Sequence, residues 1–478
     1  MKISINNFKS IGSLIEYELK PLTILSGTNS SGKSSFIQLL LILKETIDLD
    51  SSKNQFYLKG DLFEVREYID ILKGKDLSNK LSFSIDLNKA EFSKYGERVE
   101  KSIYDNFKDY VCKLKVDFDS FNQDIYIREF FLNYSLPIDA KKNQFIKFNQ
   151  DKNNETFEIE SNVDYFGKNI YLDKAKITDI NYLSIFPLSY DIYKEEIDVA
   201  HKQGENIEYK IKETVYPNID SIKSLIKIFF EEIHYIGPLR EQPRDEYISK
   251  KQLNSVGAKG ENVAQVLENF KDEILNISIP VFKDDNILFE HKEMKLIEGV
   301  KFWMCDVFGI GTDIYSKKVG DSYVIILKNS NGNETTIKHV GFGISQILPI
   351  IVEGLRMSNT STLILEQPEI HLHPKLQSLL FDFLYGLTLS GKTIIIETHS
   401  DHLITRMRRR IAEEVENKMK DQINLTFIET SGQDVIFKEI PLDDYGTSDY
   451  FPSDFIDKTD VELRAIVKAQ MKKRMNKN

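Results

Sequence analysis

The sequence predicts an α/β protein with a β-rich insertion, and three observations carry that reading. Leu22-Thr23-Ile24-Leu25 is a short apolar strand that runs into a Gly/Ser loop, and a helical pattern follows from Ser34 to about Leu49. Near the end, strand-like and helix-like stretches alternate: Thr362 to Leu365, Pro374 to Tyr385, Thr393 to Glu397 and Asp401 to Glu416. Short buried strands alternating with helices imply a mostly parallel sheet. Between these ends, Leu81 to Leu87, Val111 to Asp119, Ile125 to Tyr134 and Thr156 to Glu160 alternate and are rich in aromatic and β-branched residues. They read as antiparallel strands. Ile3 to Phe8 and Leu14 to Leu19 read as two further strands at the start. Residues from about 176 to 232 read as mixed to helical. No heptad pattern persists, so no long coiled coil is expected. Asp151 to Glu155 and Asn329 to Asn333 read as loop tips.

Composition narrows the class. The 478 residues are about three domains' worth of chain. Hydrophobic residues make up 41% and charged residues 29%, which excludes a disordered or collagen-like chain. Two cysteines, Cys112 and Cys305, with no Cys/His cluster, exclude a disulfide framework and a cysteine-built zinc site. The 63 basic and 74 acidic residues give −11 at pH 7, so a surface coated in nucleic acid is not expected. No apolar signal core follows Met1 to Phe8, and the longest apolar run nearby, Leu39 to Leu43, is far short of the roughly 20 residues that cross a bilayer. A cytoplasmic protein with no integral membrane partner is expected.

The Gly/Ser loop has a definite chemistry. Gly27-Thr28-Asn29-Ser30-Ser31-Gly32-Lys33-Ser34 fits G-x-x-x-x-G-K-[ST], between a strand and a helix. Its glycines let backbone N–H groups curl around phosphate oxygens, and the helix start favours negative charge. Lys33 suits β/γ-phosphates and the Ser34 hydroxyl suits Mg²⁺. Ser35 extends the candidate nucleotide-binding set. An acid at the end of a neighbouring strand is then required, and Glu366, closing Leu363-Ile364-Leu365, supplies it. Thr393 to Glu397 ends in Thr398-His399-Ser400, where His399 can bond a γ-phosphate. Val340-Gly341-Phe342-Gly343-Ile344-Ser345-Gln346 precedes an apolar helix, Ile347 to Leu355, and offers a second helix start suited to phosphate.

The order of these segments resembles the ABC-type ATPase heads of the SMC and RecF class. Asn7-Phe8-Lys9-Ser10-Ile11 and Pro21-Leu22-Thr23 resemble their first strands. The long separation of Lys33 from Glu366 suits a head with an inserted arm rather than a transporter cassette. Tyr235-Ile236-Gly237-Pro238-Leu239-Arg240, Val256 to Glu261, Gly343 to Pro349 and Glu366 to Pro374 are similar to a narrower bacterial family of AAA/ABC-like ATPases with a C-terminal domain of unknown function, with Asp449 to Asp457 as that last piece. The resemblance implies a divided head, residues 1–60 and 233–445, an inserted lobe, 61–232, and a C-terminal extension with a basic tail, 446–478. It implies ATP and Mg²⁺ as cofactors, with Ser34 and Glu366 on the metal. It also implies a homodimer or higher homo-oligomer in which Gly341, Gly343 and Ser345 face the partner's nucleotide. Members are associated with anti-phage defence, which implies a switch controlling a separate nuclease or toxin. A RecF-like DNA-repair ATPase and a nucleotide-locked scaffold are the alternatives, with DNA as a further candidate partner.

One position departs from the ABC pattern. Gln367 stands where a water-activating Glu is common, and an amide orients water but takes no proton. Either hydrolysis is slow, or Glu369 or a histidine stands in. Glu366, Gln367, Glu369 and His399 are therefore the candidate catalytic residues. His371 and His373 read as a packing residue and a seam residue rather than a metal pair. Glu397 reads equally as strand-end packing or as support for the metal. Arg406, Arg408, Arg409 and Arg410, and the tail Arg464, Lys468, Lys472, Lys473, Arg474 and Lys477, read as solvated surface or phosphate contacts. Arg240 reads as a nucleotide sensor or a dimer brace. A fused Toprim nuclease is not expected, since only about 75 residues follow His399.

Overall fold

The computed structural model describes residues 1–28, 31–48, 56–88, 112–121, 124–135, 143–151, 156–161, 164–165, 168–169, 172–183, 185–196, 209–215, 219–248, 253–283 and 286–451. The chain divides into two compact units. One comprises Met1–Leu19, Ser34–Ile233 and Ser431–Val435; the other comprises Lys20–Lys33, His234–Thr430 and Ile436–Asn478.

The first unit is built on a ten-stranded sheet. Its order is Tyr209–Val215, Phe186–Glu196, Leu172–Leu183, Thr156–Ser161, Asn143–Asp151, Asp124–Ser135, Cys112–Phe121, Leu81–Leu87, Lys2–Phe8 and Ile11–Glu18. The pairings are antiparallel throughout. Alternation creates the buried face: Leu114, Val116 and Phe118 lie inward while Lys113, Lys115 and Asp117 lie less buried between them. Phe83 stacks on Phe118 across the sheet, adding cross-strand packing. The helix Lys33–Asp48 belongs mostly to this unit and buries Phe36, Ile37, Leu40, Leu41 and Ile47.

Among its described residues, the stretch expected to be mixed to helical from 176 to 232 is mostly sheet. Leu172–Leu183, Phe186–Glu196 and Tyr209–Val215 pair antiparallel, and Asp220–Glu231 is the one helix among the described residues there. Helix formers such as Lys194-Glu195-Glu196 are overridden by cross-strand pairing, which puts Glu196 opposite Tyr209.

The second unit holds a six-stranded sheet ordered Ile233–Ile236, Thr362–Glu366, Thr393–Glu397, Leu22–Gly27, Ile423–Ser431 and Asp434–Glu439. The four central strands run parallel. Their runs of Leu and Ile are buried on both faces, as a parallel sheet demands. The helices Phe342–Arg356, Pro374–Leu389 and Asp401–Glu413 contribute to the same core, with Trp303, Phe381 and Phe383 among its bulkiest members. A hairpin, Ile274–Lys283 with Asn286–Lys295, and a small sheet of Tyr247–Ile248, Asp313–Val319, Ser322–Lys328 and Glu334–Thr336 complete the unit. Among the described residues no helix is long and apolar enough to cross a membrane.

Candidate functional site

Three candidate segments leave the carboxyl ends of parallel strands in one sheet, the usual place for a ligand in an open α/β fold. Glu366 pairs in register with Glu397, and Glu397 with Leu25. The acidic strand is thus next but one to the loop strand, not adjacent as expected. The strand ending in Glu397 lies between them.

Gly27 begins the phosphate loop at φ 148°, and a Cβ there would stand 2.1 Å from the Ile428 carbonyl, so only glycine fits. Gly32 also has a positive φ, 93°. The buried Lys33 ammonium donates to the carbonyls of Gly27 (3.1 Å) and Thr28 (2.7 Å). Burial lowers its pKa, and the Glu397 carboxylate works against that. Ser31 Oγ is buried without a hydrogen-bond partner. Asn29 and Ser30 lie outside the described residues. Ser34 and Ser35 are the second and third residues of the following helix, both part-buried, and Ser35 Oγ lies 3.2 Å from Ser10 Oγ.

Glu366 is buried and accepts a hydrogen bond from the Tyr235 hydroxyl at 2.8 Å. Burial raises its pKa to about 7; the Tyr235 bond opposes this and Glu397 adds to it. Gln367 sits at φ 45°, an uncommon region for a residue with a Cβ. Its N–H donates to the Glu397 carbonyl at 2.7 Å. Glu369 Oε1 accepts from the His399 N–H at 2.7 Å, while its Oε2 is buried without a partner. Burial raises the Glu369 pKa, against hydrogen bonds from His399 and Thr398 and the Arg240 charge. The His399 ring is exposed, and its pKa is lowered by partial burial and then by Lys33. That lowering leaves the imidazole neutral near pH 7, able to donate from one nitrogen.

The Gly-rich segment opens the helix Phe342–Arg356, with Gly341 as its N-cap. The two glycines differ. A Cβ on Gly343 would stand 2.5 Å from the His371 carbonyl, whereas one on Gly341 would meet nothing within 4 Å. The fold therefore requires glycine at 343 and makes no such demand at 341. Ser345 is buried and its hydroxyl donates to the Phe342 carbonyl at 2.7 Å. Pro349, within the helix, offers no N–H to the Ser345 carbonyl. His371 stands edge-on to Phe342, and His373 caps the helix Pro374–Leu389 through its Nδ1.

Arg240 turns out to be a brace inside this unit. Its buried guanidinium donates to the carbonyls of Gln367 (3.2 Å), Glu366 (3.4 Å) and Pro368 (3.5 Å). The basic cluster is also largely committed. Arg406 and Arg410 both grip buried Asp382, with closest contacts of 2.6 and 2.8 Å. Arg408 donates to the Gly446 carbonyl at 2.8 Å and lies over the Phe451 ring, and Arg409 pairs with Glu413. The basic tail from Arg464 lies outside the described residues.

Sequence reasoning gave no role to Tyr235, Glu353, Asp382 or Lys392. Glu353 is buried and joins His234 Nδ1 (2.5 Å) to the Val256 N–H (2.9 Å). Lys392 is buried and donates to the carbonyls of Gly354 (2.7 Å) and Leu355 (2.8 Å), closing the end of the helix. Glu353 and Asp382 were detectable in principle, because each is a single charge in an apolar helical run and so needs a buried partner.

A glycine-lined loop, a buried lysine and strand-end carboxylates on a parallel sheet define a P-loop α/β nucleotide fold. The chain belongs to the AAA ATPase domain family, which matches residues 1–404. A search of curated protein sequences finds no match. Among solved structures the chain is similar to three SMC heads. One is the SMC head bound to the C-terminal winged-helix domain of ScpA, at 8% identity and a TM-score of 0.43, covering 92% of this chain and 97% of that one. Another is the SMC head domain from Thermotoga maritima, at 7% and 0.35, covering 92% and 98%. The third is the Pyrococcus furiosus SMC head with an extended coiled coil, bound to the C-terminal domain of ScpA, at 8% and 0.40, covering 92% and 96%. The fold assignment rests on the sheet order and phosphate loop described above.

Proposed function

We propose that this protein is an ATP-binding, slowly hydrolysing switch of the ABC/SMC type whose heads close in pairs over nucleotide. The observation that carries the reading is the setting of Gln367. An amide, not a carboxylate, occupies the first position after Glu366, on a backbone held from both sides by Glu397 and Arg240. Slow turnover prolongs an ATP-closed state, which suits a switch better than a motor.

The residues present fit a nucleotide and a divalent cation. Ser31 Oγ is a buried hydroxyl without a partner at the loop, and Lys33 is a buried cation that donates to two loop carbonyls, which phosphate oxygens can replace. Glu366, pushed up to about 7 by burial and by Glu397, is in a setting that a divalent cation relieves. Gly27, Asn29, Ser30, Ser31, Gly32, Lys33, Ser34 and Ser35 would hold the phosphates. Ser34 and Glu366 would hold Mg²⁺, which would supply charge neutralisation for the phosphates. Neutral His399 would donate to the terminal phosphate, and Gln367 would orient water.

Gly341, with open space and no conformational demand for glycine, supports a seam in which another chain's nucleotide approaches this helix start. Control of a separate nuclease or toxin in anti-phage defence rests on the motif resemblance. DNA contact through Arg406 and Arg410 is disfavoured, since Asp382 already occupies both.

The test is a titration with fluorescent ATP in Mg²⁺, followed by light scattering with a non-hydrolysable analogue. Wild type should bind and dimerise. Lys33→Ala should lose binding, and Gly341→Glu should bind yet stay monomeric. Tight binding by Lys33→Ala removes the phosphate-loop assignment, and a dimeric Gly341→Glu removes the seam.

A further inference from the structure

Arg240 is almost fully buried, and its Nε has no hydrogen-bond partner. An isolated buried guanidinium is costly unless the structure gains something specific from it. Its remaining nitrogens reach three successive carbonyls, those of Glu366, Gln367 and Pro368. The principal opposing charge acting on it is Glu369, itself buried with one oxygen unpartnered. Gln367 meanwhile holds a left-handed backbone, with its N–H on the Glu397 carbonyl. The peptide at Gln367 is thus fixed by Glu397 on one side and by Arg240 on the other.

The segment carrying Arg240 is itself anchored. Gly237 N–H donates to the Ala258 carbonyl and Glu241 N–H to the Lys259 carbonyl, both at 2.8 Å. The same segment meets one stripe of the helix Phe342–Arg356. Gln346 donates to the Glu241 carbonyl at 3.4 Å, the Pro349 ring fills the space where a Gly260 side chain would stand, and Glu353 binds His234 and Val256. Residues 346, 349 and 353 share a helix face. Interleaved with these helix contacts, the same segment places Tyr235 on Glu366 and Arg240 on the carbonyls of the Gln367 turn. One strap, formed by residues 234–248 and 253–261, therefore touches both the Gly341 helix and the turn bearing Gln367.

We propose that Arg240 is a positioning residue: its guanidinium fork sets the Glu366–Pro368 peptides, and through them the direction of the Gln367 side chain, while the strap makes that setting follow the helix Phe342–Arg356. This rests on the ATPase reading above. A lysine keeps the charge but presents a point donor that cannot span three carbonyls. The fork, not the charge, is the operative feature.

The test uses the full chain with Arg240→Gln and Arg240→Lys, the latter keeping a buried cation should the former not fold. Amide hydrogen exchange without nucleotide reads the turn directly. Exchange over Gln367–Leu372 should rise about tenfold in both variants, as expected for loss of charged hydrogen bonds, while Thr393–Glu397 stays at the wild-type rate. In ATP turnover, kcat should fall about tenfold with KM and fluorescent-ATP affinity within about twofold of wild type. Unchanged exchange over Gln367–Leu372 overturns the proposal, whatever the turnover. So does faster exchange spread equally over Thr393–Glu397, which makes Arg240 merely structural, and so does an unchanged kcat. If wild type binds no ATP, the nucleotide reading falls instead, and the exchange result alone judges Arg240.

Discussion

Gln367→Glu exchanges one amide nitrogen for an oxygen at a backbone position that the fold already fixes. The residue 367 N–H lies 2.7 Å from the Glu397 carbonyl, and its own carbonyl lies 3.2 Å from Arg240. A φ of 45° costs roughly 1–2 kcal/mol for any residue with a Cβ, and equally for Gln and Glu. The effect of the change is therefore chemical, not conformational. A positioned general base contributes about 10²–10⁴-fold. The new carboxylate would follow directly on Glu366, whose pKa burial raises to about 7. Like-charge repulsion from Glu366 works against a second charge at this position. The low end of the range is then expected, about 10²-fold or ~2.7 kcal/mol of barrier. The ATP-closed dimer should shorten its lifetime to match. The assay is phosphate release at saturating Mg-ATP, with fluorescent-ATP affinity and dimer lifetime measured in parallel. An unchanged rate at unchanged affinity would refute the missing-base argument and move attention to Glu369, whose Oε2 is unpartnered.

Three further outcomes follow from packing. Gly343→Ala drives a Cβ to 2.5 Å from the His371 carbonyl and should cost about 1–3 kcal/mol in urea unfolding, whereas Gly341→Ala should stay within about 0.5 kcal/mol. Arg410→Ala leaves Asp382 to Arg406 alone and should destabilise by about 3 kcal/mol, the low end for breaking a buried pair, without changing retention on DNA. Burial lowers the Lys392 pKa to about 7 from the ordinary 10.5. Between these values the unfolded chain binds the extra proton, so stability falls as pH drops from about 10 to 7, by at most about 1.4 kcal/mol per unit. Below about 7 this contribution is flat, and Lys392→Met should flatten the slope of urea midpoints across the whole window.

The parts of the fold tied to local signals were readable. Leu22–Gly27, Thr362–Glu366 and Thr393–Glu397 are short apolar runs bounded by polar turns, and all three are parallel strands. Leu81–Leu87 announces itself by alternation. Leu172–Leu183, Phe186–Glu196 and Tyr209–Val215 did not, because their charged residues suit a helix as well as a strand and their state is decided by cross-strand pairing with the neighbouring strands. In the candidate site, motif spacing singled out Lys33, Glu366 and His399. It gave no hint that the strand ending in Glu397 would lie between the loop and the acidic strand, since strand order is a three-dimensional fact. The Arg406–Arg410 cluster read as surface because its partner, Asp382, sits on another helix. Ser345 lies within a glycine-rich segment, yet its hydroxyl is engaged by its own helical turn, which spacing alone does not reveal.

Pro349 gives the helix Phe342–Arg356 a gradient of stiffness. Upstream, the Ser345 carbonyl gets no N–H from Pro349, and the Ser345 hydroxyl folds back on Phe342. Downstream, Lys392 clamps the carbonyls of Gly354 and Leu355, and Glu353 is tied at both oxygens. A pull or twist applied at Gly341–Ser345 would meet its least resistance at the missing bond. The helix is a compliant tip on a rigid shank, so the tip can settle against whatever meets it while the shank keeps its register in the core.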